Sequence, residues 1–343
     1  MIKRLEYIDA MRGLSMVLVV VGHVLFFAFE DAGNVLFRVL NAEIEVPLFF
    51  MISGYLMKVP EHRYVSFFQK KAFLLCVPAA IFMAVYVWIS GYDYLSAWID
   101  SFKYGYWFTF SLFEFIVFYV VLKYAARKIK LGFYAEQLLL FVISVVVLFA
   151  SARCKRHEYN YAIIPLLGLT QFKSFIYFVF GAILAECKSL GNKLIHIKLN
   201  SYSGGWFFIF FIVSHIYTYK DGGINYIGSF TLWFALITIS GLLALLCGFK
   251  QYVSWSTSWV GKRLQMVGRY TLDIYFIHYF FLPRNLNMVG EWFKANPNPL
   301  IEYVFALLIA VVLIAVSLFV GRIIRLSPIL AHWLLAENKN YKK

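Results

Sequence analysis

Ten predominantly apolar runs, near 11–29, 44–58, 71–90, 105–124, 137–152, 172–187, 205–219, 228–249, 267–283 and 300–325, follow one another along the chain with short polar breaks between them. A hydrocarbon core ~30 Å thick is crossed by about 20 helical residues, and a helix satisfies its backbone hydrogen bonds internally in lipid. The pattern therefore predicts an all-α fold, a polytopic transmembrane helical bundle of about ten spans. Several runs are shorter than a full span, so either their ends are soft or the helices are broken. The short "YAIIPLLGL" before the sixth run reads as a re-entrant or interfacial piece. No repeat, low-complexity stretch or Gly/Ser-rich linker interrupts the series. The expectation is a single membrane-embedded domain over 1–343, with a short basic tail at 327–343 and no soluble accessory domain.

Composition sharpens this. A chain of 343 residues that is 62% hydrophobic, 20% aromatic and only 15% charged lies outside the range of soluble domains. The net charge of +14 would suggest a nucleic-acid partner in a soluble protein. Here no basic tract is continuous and nearly every cluster flanks an apolar run, so no nucleic acid is expected. With the N-terminus inside, 23 of the 32 Lys and Arg residues fall on the inner side, while Glu30, Asp31, Glu43 and Glu45 fall outside. By the positive-inside rule both termini are cytoplasmic. One loop is discordant: "ARCKRHEYN" puts Arg153, Lys155 and Arg156 outside. Either it is a basic outer patch that attracts an anionic substrate, or the fifth run is misplaced. The basic start of the chain has the look of a signal peptide, but Arg12 and the lack of a small-x-small cleavage site favour a retained helix. Cys76, Cys154, Cys187 and Cys247 stand singly and read as packing residues.

The first run carries the chemistry. In "DAMRGLSMVLVVVGH", Asp9 to His23, Arg12 and His23 are eleven positions apart, three helical turns plus about 20°, so they share one face roughly 16 Å apart. Ionisable groups facing lipid are costly, so that face belongs to a protein interior or a water-filled cavity. It reads as a tunnel wall with a fixed cation at its mouth and a titratable base near the midplane. The plainer alternative is a snorkelling anchor and a neutral, hydrogen-bonded core histidine. Glu114, seven residues into the fourth run with no basic residue at i±3 or i±4, is a second intramembrane candidate. It would either hold His23 in one tautomer or pair with Arg12. Asp9 would orient Arg12 or cap the first helix. His215, near the outer end of the seventh run, reads as facing water. No HxxxH, HExxH or Cys/His cluster appears, so no metal is expected, and neither a P-loop nor a dinucleotide glycine pattern is present.

"YIDAMRGLSMVLVVVGH" is similar to the signature of the integral-membrane acyltransferases known as acyltransferase family 3, which act on glycans and related acceptors. Asp9, Arg12, Gly13 and His23 match its Asp, Arg-Gly and R-x10-H positions. "VPLFFMISGYLM" resembles the family's FFxxSG segment. "FFQKKAFLLCVP" resembles its basic residues before a helix ending in proline, with Lys70 and Lys71 where arginines are more usual. "YGYWFTFSLFEF" resembles its Trp-Phe helix, "FVFGAILAE" its later glycine-containing helix, and "VGRYTLDIYFIHYF" its penultimate segment ending in Tyr-x-x-His.

The resemblance implies transfer of an acyl group, most often acetyl, from cytoplasmic acetyl-CoA or another acyl-CoA to a sugar hydroxyl at or beyond the outer face. The catalytic set would be His23, Arg12 and Glu114. His23 would serve as general base or transient acyl carrier, and Arg12 would contact donor phosphates or the acyl carbonyl. Donor and acceptor would be met by Asp9, Arg12, Lys70, Lys71, Ser53, Trp107 and His278. For Ser53 close helix packing competes with a nucleophile's role, for Trp107 an interfacial aromatic belt competes with an acceptor site, and for His278 a structural hydrogen bond competes with a tunnel lining. No cofactor is held permanently; acyl-CoA is a co-substrate. The expected partners are the acyl-CoA donor, a surface glycan and the lipid bilayer of a bacterial cytoplasmic membrane, with self-association left open. A glycan or lipid-linked sugar transporter is the rival reading.

Overall fold

The computed structural model describes residues 5–29, 43–189, 201–219, 231–251, 257–284 and 286–337. Among these it is all helix and turn, with no strand. The longer helices are α1 (Glu6–His23), α2 (Val46–Tyr55), α3 (Tyr64–Ser90), α4 (Tyr94–Ile99), α5 (Trp107–Lys128), α6 (Phe133–Arg156), α7 (Ile163–Leu166) and α8 (Phe175–Ser189). They are followed by α9 (Ser201–Tyr219), α10 (Leu232–Gln251), α11 (Trp259–Arg269), α12 (Thr271–Phe281), α13 (Asn287–Ala295), α14 (Pro299–Ile324) and α15 (Pro328–Leu334).

Each of the ten apolar runs overlaps one of these helices, but among the described residues six are long and apolar enough to cross a membrane: Glu6–Ala28, α3, α5, α6, Leu232–Lys250 and α14. The runs at 44–58 and 267–283 fold into helices of 10 and 11 residues. At 1.5 Å per residue such a helix covers only about half of a ~30 Å core. In α6 only 22% of the apolar window is buried inside the protein, so lipid is the solvent for most of its surface. The expected helix at 71–90 begins at Tyr64 instead and runs through Pro78, which places Lys70 and Lys71 in its second turn rather than before it. The fifth run extends to Arg156, so Arg153, Lys155 and Arg156 form the last turn of α6. Lys155 pairs there with Glu158. The basic tail opens with α15, capped by Ser327 and packed through His332 and Trp333 on Phe73 of α3. Glu30, Asp31 and the terminal lysines of the inner-side count lie outside the described residues.

The chain divides into two compact units, each assembled from separated segments. The first comprises Met1–Phe49, Ile197–Gly223 and Ile237–Ile324; the second comprises Phe50–His196, Ile224–Leu236 and Arg325–Lys343. In the first unit α1 is the central helix, packed on α11, α12 and α14. Backbone meets backbone where α1 crosses α11. A Cβ on Gly13 would strike the carbonyl oxygen of Leu264, and one on Gly268 the carbonyl oxygen of Asp9. In lipid, where burying apolar surface drives little association, such small-residue crossings supply the packing energy. The second unit repeats the device: Gly54 of α2 lies against the Phe178 carbonyl of α8, and Gly181 of α8 against the Met51 carbonyl of α2. Its other end is fastened by charge. The buried Lys123 amine of α5 pairs with Glu136 of α6 and bonds Glu186 of α8 at 2.8 Å, and Glu186 also accepts from Gln137 and Tyr119.

Candidate active site

In the first unit, α1 and α12 run in the same direction and touch twice. Nearer the start of α1 the Arg12 guanidinium donates to the Thr271 hydroxyl at 3.0 Å, Thr271 being the first residue of α12. Eleven residues further along α1, His23 Nδ1 lies 2.9 Å from His278 Nε2, and His23 Nε2 lies 3.1 Å from the Tyr279 hydroxyl. Directly after His23 the helix widens into one π turn, Val24–Ala28. Such π segments occur often at functional sites, because the added residue re-aims the side chains around it. Arg12 and His23 are both half-buried, whereas His278 is fully enclosed and Tyr279 is buried. Asp9 is buried inside α1, whose cap position is Leu5, so it does not cap the helix.

Glu114 lies in the second unit. A Cβ on Gly168, whose φ of +57° an L side chain rarely adopts, would sit 3.2 Å from its Oε2. That oxygen is buried and has no hydrogen-bond partner among the described residues. The cation it feels is Lys103, in the turn before α5. Both ring nitrogens of His23 are occupied by His278 and Tyr279, so the expected role of Glu114 in holding the His23 tautomer is filled by α12. Lys103 is itself a caged amine, donating to the carbonyls of Trp98 at 2.8 Å and Pro165 at 2.9 Å. Burial pushes it below the ordinary lysine value, and the carboxylates of Glu114 and Asp100 pull it back up. Its φ of +47° and the +49° of Tyr104 mark a strained turn. Trp107 opens α5 and meets the rings of Phe50 and Phe102 at 6.3 and 6.1 Å. Ser53 precedes the glycine of the α2–α8 crossing, Lys70 is exposed, and the Lys71 ammonium sits 5.6 Å from the Phe67 ring.

Sequence reasoning missed Thr271, Tyr279 and Lys103. The first two are ordinary interior residues by type, and only the pairing of α12 with α1 gives them partners. Lys103 stands in the break between the third and fourth runs and reads there as one loop cation among several. Its signal would have been a lysine four residues before an aromatic span that carries an acid. His215 was expected to face water, yet it is buried, with Nε2 2.5 Å from a carboxylate oxygen of Glu43 and Nδ1 2.9 Å from the Phe211 carbonyl. Glu43 is buried with it. Among the described residues no three His, Cys, Asp or Glu side chains gather around one point.

Apolar helices that enclose an arginine, two histidines and a tyrosine on neighbouring faces define a multi-pass membrane protein with a polar interior site. The family described as "Acyltransferase domain" matches residues 5–320, nearly the whole chain. The chain belongs to that family, acyltransferase family 3, and this supports a membrane acyltransferase. No match is found among curated proteins, and none among solved structures.

Proposed function

We propose that this protein is a membrane O-acyltransferase that takes an acetyl group from cytoplasmic acetyl-CoA and delivers it to a hydroxyl of a surface or exported polysaccharide, in a bacterial cytoplasmic membrane. The observation that carries the reading is the double contact of α1 with α12, which places a cation and an imidazole along one helix face in an enclosed setting. A polyanionic donor with a long arm suits the Arg12 end, and proton transfer suits the His23 end. In the reaction His23 takes the proton from the acceptor hydroxyl as its oxygen attacks the thioester carbonyl. The C–S bond breaks, the thiolate takes that proton from the imidazolium, and an ester and free CoA leave. Arg12 supplies charge-assisted donors to donor phosphate or to the carbonyl oxygen as it becomes negative.

Ten spans with both termini cytoplasmic fit this vectorial chemistry. The common direction of α1 and α12 is compatible with that arrangement, as it is with any even number of crossings between them. The test is acetyl-CoA turnover by the purified protein in nanodiscs with mixed bacterial glycans as acceptors. His23→Ala is expected to abolish transfer while retaining donor binding, and Arg12→Ala to weaken donor binding. Folded protein that neither binds nor consumes acyl-CoA, yet moves a glycan across vesicles, would establish transport instead.

A further inference from the structure

By sequence His278 stood between lining a tunnel and making a structural hydrogen bond; its ring is completely buried, and its environment gives it a definite task. Its Nδ1 lies 2.7 Å from the Ile274 carbonyl. A carbonyl only accepts, so Nδ1 carries a proton. Among the described residues no carboxylate is a partner of His278 or His23, and an imidazolium buried without a counter-charge is costly, so His278 is neutral and its Nε2 is a lone pair. The group 2.9 Å from that lone pair, His23 Nδ1, must therefore donate. The ring planes are within 4° of each other with centroids 5.1 Å apart. That separation equals the N···N contact plus the two ring radii. The rings thus lie edge to edge in a common plane, the geometry of a linear N–H···N bond and not of a face-to-face stack.

We infer that His278 is a positioning residue that locks His23 as the Nδ1–H tautomer, so that Nε2 is the one basic atom of the site, presented beside the Tyr279 hydroxyl. This rests on the acyl-transfer reading for its purpose, though not for its geometry. The chain runs in one direction: the Ile274 carbonyl accepts from His278 Nδ1–H, His278 Nε2 accepts from His23 Nδ1–H, and His23 Nε2 accepts from Tyr279 O–H. When Nε2 takes the acceptor's proton, His23 becomes an imidazolium. Its Nδ1–H bond to His278 becomes charge-assisted, and its new Nε2–H lies along the former lone pair, where the Tyr279 oxygen accepts once its own O–H has rotated away. Both ends of the cation are then satisfied without moving a heavy atom. Without the lock, the alternative tautomer would place a proton on Nε2 and leave the base pointing at the protein.

The test uses full-length protein in nanodiscs with ¹⁵N-labelled histidine, the His23 signals being assigned by their loss in His23→Gln. In the wild type, His23 is expected to show protonated Nδ1 and unprotonated Nε2. His278→Leu should convert His23 wholly or partly to the Nε2–H form and lower kcat by about 10²-fold or more with KM for acetyl-CoA unchanged. His278→Gln, whose amide oxygen reaches the place of Nε2, should restore both the tautomer and most of kcat. A protonated Nε2 in the wild type, an unchanged tautomer in His278→Leu, or a His278→Gln protein as impaired as His278→Leu would each overturn the inference. If the wild type consumes no acyl-CoA but its His23 tautomer still depends on residue 278, the acyl-transfer reading fails while the positioning role stands.

Discussion

Thr271 shows how much a single uncharged hydroxyl can decide. Arg12 has a long, flexible side chain, and the 3.0 Å bond to Thr271 holds its guanidinium at the start of α12. A hydrogen bond to a charged group contributes about 1.5–3 kcal/mol. Thr271→Val keeps the shape and removes the acceptor. The expected outcome is a KM for acetyl-CoA raised about tenfold with kcat nearly unchanged, and recovery in Thr271→Ser, measured by steady-state kinetics. At the same scale, the Glu43–His215 contact needs one proton in it. Nδ1 of His215 donates to the Phe211 carbonyl, so only a proton on Nε2 or on the carboxyl group can bridge the 2.5 Å between the side chains. Glu43→Gln, which keeps a polar partner, should cost less thermal stability than Glu43→Ala, which takes that partner from a buried ring at about 1–3 kcal/mol.

Helices were legible from hydropathy; their ends and pairings were not. An apolar run of any length in lipid becomes helix because nothing else satisfies its backbone, which is why all ten runs overlap helices. A polar residue does not end such a helix when its long stem can reach past the core, so α6 continues through Arg153, Lys155 and Arg156, and α3 starts well before Lys70. Hydropathy also misses elements that are amphipathic. α11 carries Lys262, Arg263 and Arg269, yet it is the helix whose backbone touches that of α1. The site followed the same division. That Arg12 and His23 share one helix face was readable from their spacing, whereas the partners of His23 come from a helix some 250 residues away in the chain. The α1–α11 crossing yields a direct test. Gly13→Ala and Gly268→Ala each drive a Cβ into a backbone carbonyl, which cannot rotate away. Both should lower the thermal midpoint, overpacking costing about 1–3 kcal/mol or more. Gly132→Ala, with no atom within 4 Å of the added Cβ, should leave it unchanged.

For the molecule as a whole, one contribution to the acid–base balance comes from Lys173, in the turn before α8. Burial lowers its amine from 10.5 to about 8, with Lys155 adding repulsion and Glu158 attraction. Because the native value is depressed, the unfolded chain binds more protons than the folded one between about pH 8 and pH 10.5. Stability therefore rises with pH across that window and is flat in this respect below it. The neutral amine is the form the fold accommodates, so the gain is complete only above the unfolded value. Thermal unfolding in detergent, followed from about pH 7 to about pH 10.5, should show this rise in the wild type. Lys173→Met should reduce it by deleting this titrating group while the share of Lys103 remains, with Lys155→Met as the informative companion. Removing that neighbouring cation takes away a repulsion, so the onset of the rise should move to higher pH. A rise that starts at the same pH in all three proteins would mean that another group carries it.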